Sequence, residues 1–158
     1  MIPRLDAARI AARDADTIAA LAQAAQGTGF ATVYNTALTE GRVREAIETY
    51  RAFFHLPETQ TRDVDMARTG ANRGWGAAGS EQVDPDANPD YKQFFDAGFT
   101  LAQDDPLAAL SVYAPNRWPD QPAQFQRVIA AYYNDACAVA MTVLRGIAEA
   151  IDAPRDYF

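Results

Sequence analysis

Apolar residues recur along this chain in two periods, and the places where each period starts and stops outline the elements. Residues 2–5 form a short apolar stretch stiffened by Pro3, which suits a first or edge strand and not the middle of a sheet. From Asp14 or Asp16, either able to cap, Ile18, Leu21, Ala22 and Ala25 return at helical spacing. Gly27 stands where such a helix commonly stops in the left-handed conformation. Residues 30–34 (FATVY) follow Gly29, are β-branched and aromatic, and predict a second strand. Thr39 can cap the next helix, whose apolar face is Val43, Ala46, Ile47, Tyr50, Phe53 and Phe54, ending at Leu56 and Pro57.

The pattern then dissolves. Residues 57–90 read as one long loop of Asp, Asn, Gly, Arg and Pro with Trp75 and Val83 as its main large apolar residues, and a loop of that length is usually functional or mobile. Residues 103–122 carry Pro106, Pro115, Pro119 and Pro122 and read as a connector, with one helical turn possible around Leu107, Leu110 and Val112. The last element is the clearest: a stripe from Phe125 through Val128, Ile129, Tyr132, Val139, Val143 and Ile147 to Ile151 predicts a helix over about 122–151, closed by Pro154. No internal repeat is present. The length of 158 residues fits one compact unit, and the fold class is α/β (α+β), with short N-terminal strands, amphipathic helices and one long C-terminal helix.

Composition narrows the function classes. Apolar residues make up 49% and charged residues 22%, which is the composition of a folded globular chain. Acidic residues exceed basic ones by 21 to 14, and no Lys/Arg cluster interrupts that balance, so neither nucleic acid nor an anionic membrane surface is an expected partner. The single cysteine excludes an internal disulfide and a multi-thiolate zinc site. Without a targeting segment or a long apolar run, a cytoplasmic location is expected.

Four sets of residues invite a chemical reading. Residues 74–79 (GWGAAG) have the glycine spacing of a dinucleotide fingerprint, but no strand precedes them and no amphipathic helix follows, so the context fails. His55 is the only histidine; at the end of a helix it more naturally caps carbonyls than serves as a base. Asp63 with Asp65, Asp84 with Asp86, and Asp104 with Asp105 lack the glycine and terminal glutamate of a calcium loop and read better as turn residues bonding their own backbone. Cys137 lies mid-stripe in the last helix, where it is a small hydrophobe.

A resemblance joins the pieces. In order, IPRLD (2–6), GF (29–30), FFHLP (53–57), RGW (73–75), GSEQV (79–83), DYKQFFDAG (90–98) and NRWP (116–119) are similar in content and spacing to the N-terminal region of the isopenicillin N synthase-like iron(II)/2-oxoglutarate-dependent oxygenases. Two positions depart from the family pattern. Asn35, Thr36 and Ala37 stand where Asn-His-Gly is common, and Gln93 stands where a glutamate follows the lysine. The resemblance implies a fold that is the N-terminal part of a double-stranded β-helix oxygenase with the barrel core absent, residues 1–158 forming the non-haem dioxygenase N-terminal domain. It implies iron(II) and 2-oxoglutarate for the complete enzyme and none in this chain, because the family's His-x-Asp, distal histidine and 2-oxoglutarate arginine would lie after residue 158. The chemistry agrees, since a facial triad needs two histidines and a carboxylate.

What the resemblance leaves to this half is substrate shaping. Arg73, Trp75 and Glu81 are the candidates for touching a small-molecule substrate, by charge-assisted hydrogen bonds or stacking. Equally, Trp75 can anchor the loop while Arg73 pairs with Glu81. The expected partner is the C-terminal barrel domain of the same protein, or a second copy through self-association. The alternative is a free-standing α/β interaction module that kept this half of the fold and no catalysis. Iron, oxidoreductase and dioxygenase chemistry belong to the first reading alone.

Overall fold

The structure is a computed structural model of the chain that describes residues 1–158 apart from 69, 70, 83, 85 and 87. Val83, expected as a main apolar residue of the long loop and the last residue of GSEQV, lies outside the described residues. Where the length suggests one compact unit, the chain groups into two, residues 1–46 with 130–158 and residues 47–129.

The first unit begins with β1 (Arg4–Asp6), which pairs in parallel with β2 (Thr32–Tyr34) in the register Arg4 to Thr32, Leu5 to Val33 and Asp6 to Tyr34. Both strands lie inside the predicted stretches or one residue beyond them. Between them run α1 (Ala7–Ala11), too short for periodicity to reveal, and α2 (Ala15–Gln26). Asp6 starts α1: its carboxylate accepts from the backbone N–H of Ala8 at 2.8 Å. Asp14 starts α2, accepting from the backbone N–H of Thr17 at 2.9 Å and its hydroxyl at 2.7 Å. Of the two candidate caps, Asp14 is the one used. Gly27 ends α2 at φ −94°, not left-handed; the positive φ falls two residues later, at Gly29 (+73°), whose N–H donates to the Ala24 carbonyl. The turn is therefore wider than a single left-handed cap.

The core of this unit is aliphatic. Leu5, Ile10, Ile18 and Leu21 are buried together, with Ala20, Val143, Ile147 and Ala150 packed against them. Close approach of the last helix depends on Gly146, since a Cβ there would lie 2.7 Å from Ile10 Cγ2 and 2.9 Å from Leu21 Cδ2.

Two helices pass through both units. α3 (Glu40–Phe54) begins where Thr39 Oγ1 accepts from the Arg42 N–H at 3.2 Å. α5 (Phe125–Ala150) occupies the expected 122–151 stretch; its 26 residues span about 39 Å at 1.5 Å each.

The second unit has an aromatic core. Phe53, Phe95 and Phe125 form a triangle with ring centroids 4.9–5.3 Å apart, edge-on or tilted, the favourable arrangement for π-systems. Tyr50 meets Phe125 edge-on at 5.4 Å, and Trp118 stacks on Phe95 at 6.1 Å. Residues 57–90, expected as one loop, carry α4 (Glu58–Thr61), two short 3-10 turns (Arg62–Val64 and Met66–Arg68) and β3 (Gly74–Gly76). β3 pairs antiparallel with β4 (Phe94–Asp96), matching Trp75 to Phe95. The connector holds two more 3-10 turns, Pro106–Ala109 and Ser111–Tyr113. Among the described residues no helix is long and apolar enough to cross a membrane.

Candidate functional site

The predicted site residues gather around the β3–β4 pair of the second unit. Strand alternation puts Trp75 and Phe95 on one face and Gly74, Gly76, Phe94 and Asp96 on the other. The two glycines are required by contact. A Cβ on Gly76 would strike the Phe94 ring, and one on Gly74, which has φ +112°, would strike the Val64 carbonyl oxygen. The GWGAAG stretch is thus a strand and turn, packed against neighbours on its glycine face, and among the described residues the element that follows it is β4, not a helix whose N-terminus could take a pyrophosphate.

Trp75 is 3% exposed. Its indole N–H donates to Gln93 Oε1 at 3.0 Å, so the residue that departs from the family's glutamate accepts a neutral hydrogen bond. In the sequence Gln93 stands only as a departure from the family's glutamate; its role as the tryptophan's acceptor becomes visible once β3 and β4 are paired. Trp75 and Gln93 wall a cavity of about 290 Å³ that also touches Phe54, Leu56, Ala77 and Ala78.

Arg73 is held by backbone carbonyls: Nη1 donates to Asn72 O at 2.7 Å and Nη2 to Val112 O at 2.9 Å. Its guanidinium lies close to Gly98, where a Cβ would collide with it. Arg73 lines a second cavity, of about 310 Å³, with Ala71, Asn72, Ser111 and Val112. Glu81 is exposed and pairs with Lys92 at 2.6 Å, while Asp90 takes the same ammonium at 3.1 Å. Backbone bonds between Gly79 and Asp90 and between Asp90 and Glu81 close that loop. The structure therefore does not bring the three candidates into one pocket.

Electrostatics links two of them through a residue the sequence does not single out. Asp96, on β4, has its carboxyl pushed above the ordinary carboxylate range by partial burial and then by the nearby Glu81 charge, with Arg73 and Lys92 pulling the other way. Arg73, Glu81, Lys92 and Asp96 thus form one charged group beside the strand pair. The alternation of Lys92, Phe94 and Asp96 against Gln93, Phe95 and Ala97 is the sequence signal that could have found β4 and this face.

The remaining candidates fall in plain structural roles. His55 is exposed just past the end of α3, where Nδ1–H donates to the Arg51 carbonyl at 2.7 Å. Asp65, Asp84 and Asp105 each accept from the backbone N–H two residues on, at 2.8–2.9 Å. Cys137 is half-buried on α5. These residues do not fit an iron centre of two histidines and a carboxylate. The chain has one histidine, it is engaged with a helix-end carbonyl, and among the described residues no three His, Cys, Asp or Glu side chains come together.

Comparison with known proteins places this arrangement in context. The family described as non-haem dioxygenase in morphine synthesis N-terminal matches residues 2–121. A 2-oxoglutarate-Fe(II) type oxidoreductase of Aspergillus fumigatus is 28% identical over 120 residues, covering 73% of this chain and 36% of that protein. Azadirone synthase of Melia azedarach is 26% identical over 146 residues, covering 90% of this chain and 43% of the relative. Among solved structures, a 2OG-Fe(II) oxygenase family protein from Caulobacter crescentus superposes with a TM-score of 0.79 at 25% identity, covering 99% of this chain and 50% of that one. The chain spans half or less of the length of each of these proteins.

Proposed function

The chain belongs to the non-haem dioxygenase N-terminal family, the N-terminal domain of the 2-oxoglutarate- and iron(II)-dependent oxygenases, and from that premise we propose that it is the structural and substrate-shaping half of an isopenicillin N synthase-like oxygenase acting on a small molecule. The observation that carries this reading is the superposition on the Caulobacter protein, which takes in nearly all of this chain and half of the other. A C-terminal double-stranded β-helix would supply the iron ligands and the grip on 2-oxoglutarate, and residues 1–158 would act as its N-terminal domain. Bound there, iron and 2-oxoglutarate would supply the oxygen chemistry. This chain alone would be inactive.

Within that reading the β3–β4 pair is the part turned to use. Arg73 and Glu81, whose charges both act on the Asp96 carboxyl, would set the polarity offered to the substrate. Trp75 would act from the buried face, holding β3 to β4 through Gln93 and presenting only the wall of its cavity. Arg73 would need to keep its hold on Val112, so its contribution is positional as much as electrostatic.

Succinate formation from 2-oxoglutarate tests the proposal, measured on this chain and on the same chain joined to a C-terminal barrel domain. The expected outcome is turnover only in the joined protein, with Arg73→Gln and Glu81→Gln raising KM for the prime substrate while leaving KM for 2-oxoglutarate unchanged. Turnover by residues 1–158 alone, or variants that change only the cosubstrate KM, would overturn it.

A further inference from the structure

A cavity of about 500 Å³ in the second unit is separate from the β3–β4 group and lies between the α4 region and the loop at 116–121. That volume is in the range of small-ligand sites. One wall is fixed by the aromatic core. Asn116 bonds Gly98 through both its N–H and its carbonyl, at 2.8 Å each, and reaches Thr100 Oγ1 at 3.1 Å. Two residues on, Trp118 stacks on Phe95 and tilts against Phe125. Residues 116–118 are therefore held in place before anything binds, which removes part of the ordering cost of binding.

Its polar lining is uncommitted. Among the described residues, the side chains of Gln60, Asp63, Arg117, Trp118, Asp120 and Gln121 have no hydrogen-bond or ion-pair partner. The contrast with the cavities at Trp75 and Arg73 is direct, since Trp75 is bonded to Gln93 in one and Arg73 to backbone carbonyls in the other. Here Arg117, Trp118, Asp63, Asp120, Gln60 and Gln121 line one cavity, and Leu56, Val64 and Pro119 add apolar surface. The arginine fork matches a carboxylate, the carboxylates match an ammonium, and the apolar residues match a hydrocarbon side chain.

From this set we infer that the cavity binds a zwitterionic amino acid with an apolar side chain, its carboxylate on Arg117 and its ammonium on Asp63 and Asp120. The inference does not depend on the proposed oxygenase role. The two tryptophans make the test internal to one spectrum: Trp118 lines this cavity, and Trp75 is already bonded elsewhere. In a 15N–1H NMR titration of the full chain with L-leucine, the Trp118 indole and the amides of 116–121 should shift while the Trp75 indole stays. N-acetyl-L-leucine, which lacks the ammonium, and L-leucine methyl ester, which lacks the carboxylate, should each bind at least tenfold more weakly. Arg117→Gln should produce the same loss for L-leucine with its thermal midpoint unchanged, since the side chain is exposed and unpaired. No shift at 116–121 up to millimolar L-leucine, equal binding of the capped analogues, or full binding by Arg117→Gln would each overturn the inference.

Discussion

The two units solve the same problem with different materials. In residues 1–46 and 130–158, aliphatic side chains on helices of regular period close a core around Leu5, Ile10, Ile18 and Leu21. In residues 47–129, short strands and 3-10 turns close around the rings of Tyr50, Phe53, Phe54, Phe95, Trp118 and Phe125, and side chains such as Asn116 and Arg73 bond the loops to one another. A periodic element buries its apolar stripe wherever it packs, so the first unit follows from sequence pattern. The second depends on contacts between segments far apart in sequence, each too short to declare itself alone. It also holds the charged group and the cavities used in the proposals above.

The comparison breaks first at Phe53, which is fully buried at the centre of the aromatic triangle. Phe53→Ala should cost about 3–5 kcal/mol, the range for emptying a large aromatic site, read as a shift in the urea midpoint. Amide exchange should rise most in residues 47–129. Phe54→Ala should cost less, because Phe54 is only half-buried. An unchanged midpoint for Phe53→Ala would remove the aromatic triangle as the core of that unit.

Legibility in the sequence follows the same division. The stripe from Phe125 to Ile147 and the capped helix after Thr39 stand out because period and cap agree. Phe53 and Phe54 sit side by side on one helical face, and periodicity alone does not say which takes the core. β4 is three residues between loops, and the reason for Gly74 and Gly76 appears only when Val64 and Phe94 arrive from elsewhere. Motif order carried the family across those gaps. Arg73, Trp75 and Glu81 were legible as candidates from the motifs, but Gln93, Lys92 and Asp96 depend on a strand pairing that the sequence pattern understates.

The aliphatic unit is tested at Gly146. Gly146→Val would push a side chain into Ile10 and Leu21, with an expected net cost of about 1–3 kcal/mol despite the better helix propensity of valine. Thermal denaturation reads it, and a stabilised variant would show that this core has room. The polar stitching of the second unit is tested at Asn116. Asn116→Ala leaves the half-buried Gly98 N–H without its acceptor and should cost about 1–2 kcal/mol in a denaturant titration. No change would mean that packing alone orders the loop.

The smallest expected effect is a pH dependence in the first unit. Asp14 is held at about 2, below its ordinary 3.8, first by the hydrogen bond from Arg9 and then by those from Thr17. A depressed carboxyl contributes stability above pH 4 that is lost as pH falls toward 2. Asp14→Asn should therefore be less stable than the natural chain at neutral pH, and the difference in thermal midpoint should shrink between pH 4 and pH 2. A difference constant across that window would assign the effect to capping geometry rather than charge.

On the proposed function these residues shape an oxygenase without holding its iron. Anaerobic calorimetry of the 158-residue chain with ferrous iron and 2-oxoglutarate tests it most directly. No stoichiometric site is expected, only the weak heat of a generic acidic surface. A one-to-one site of micromolar affinity that survives His55→Ala would contradict it.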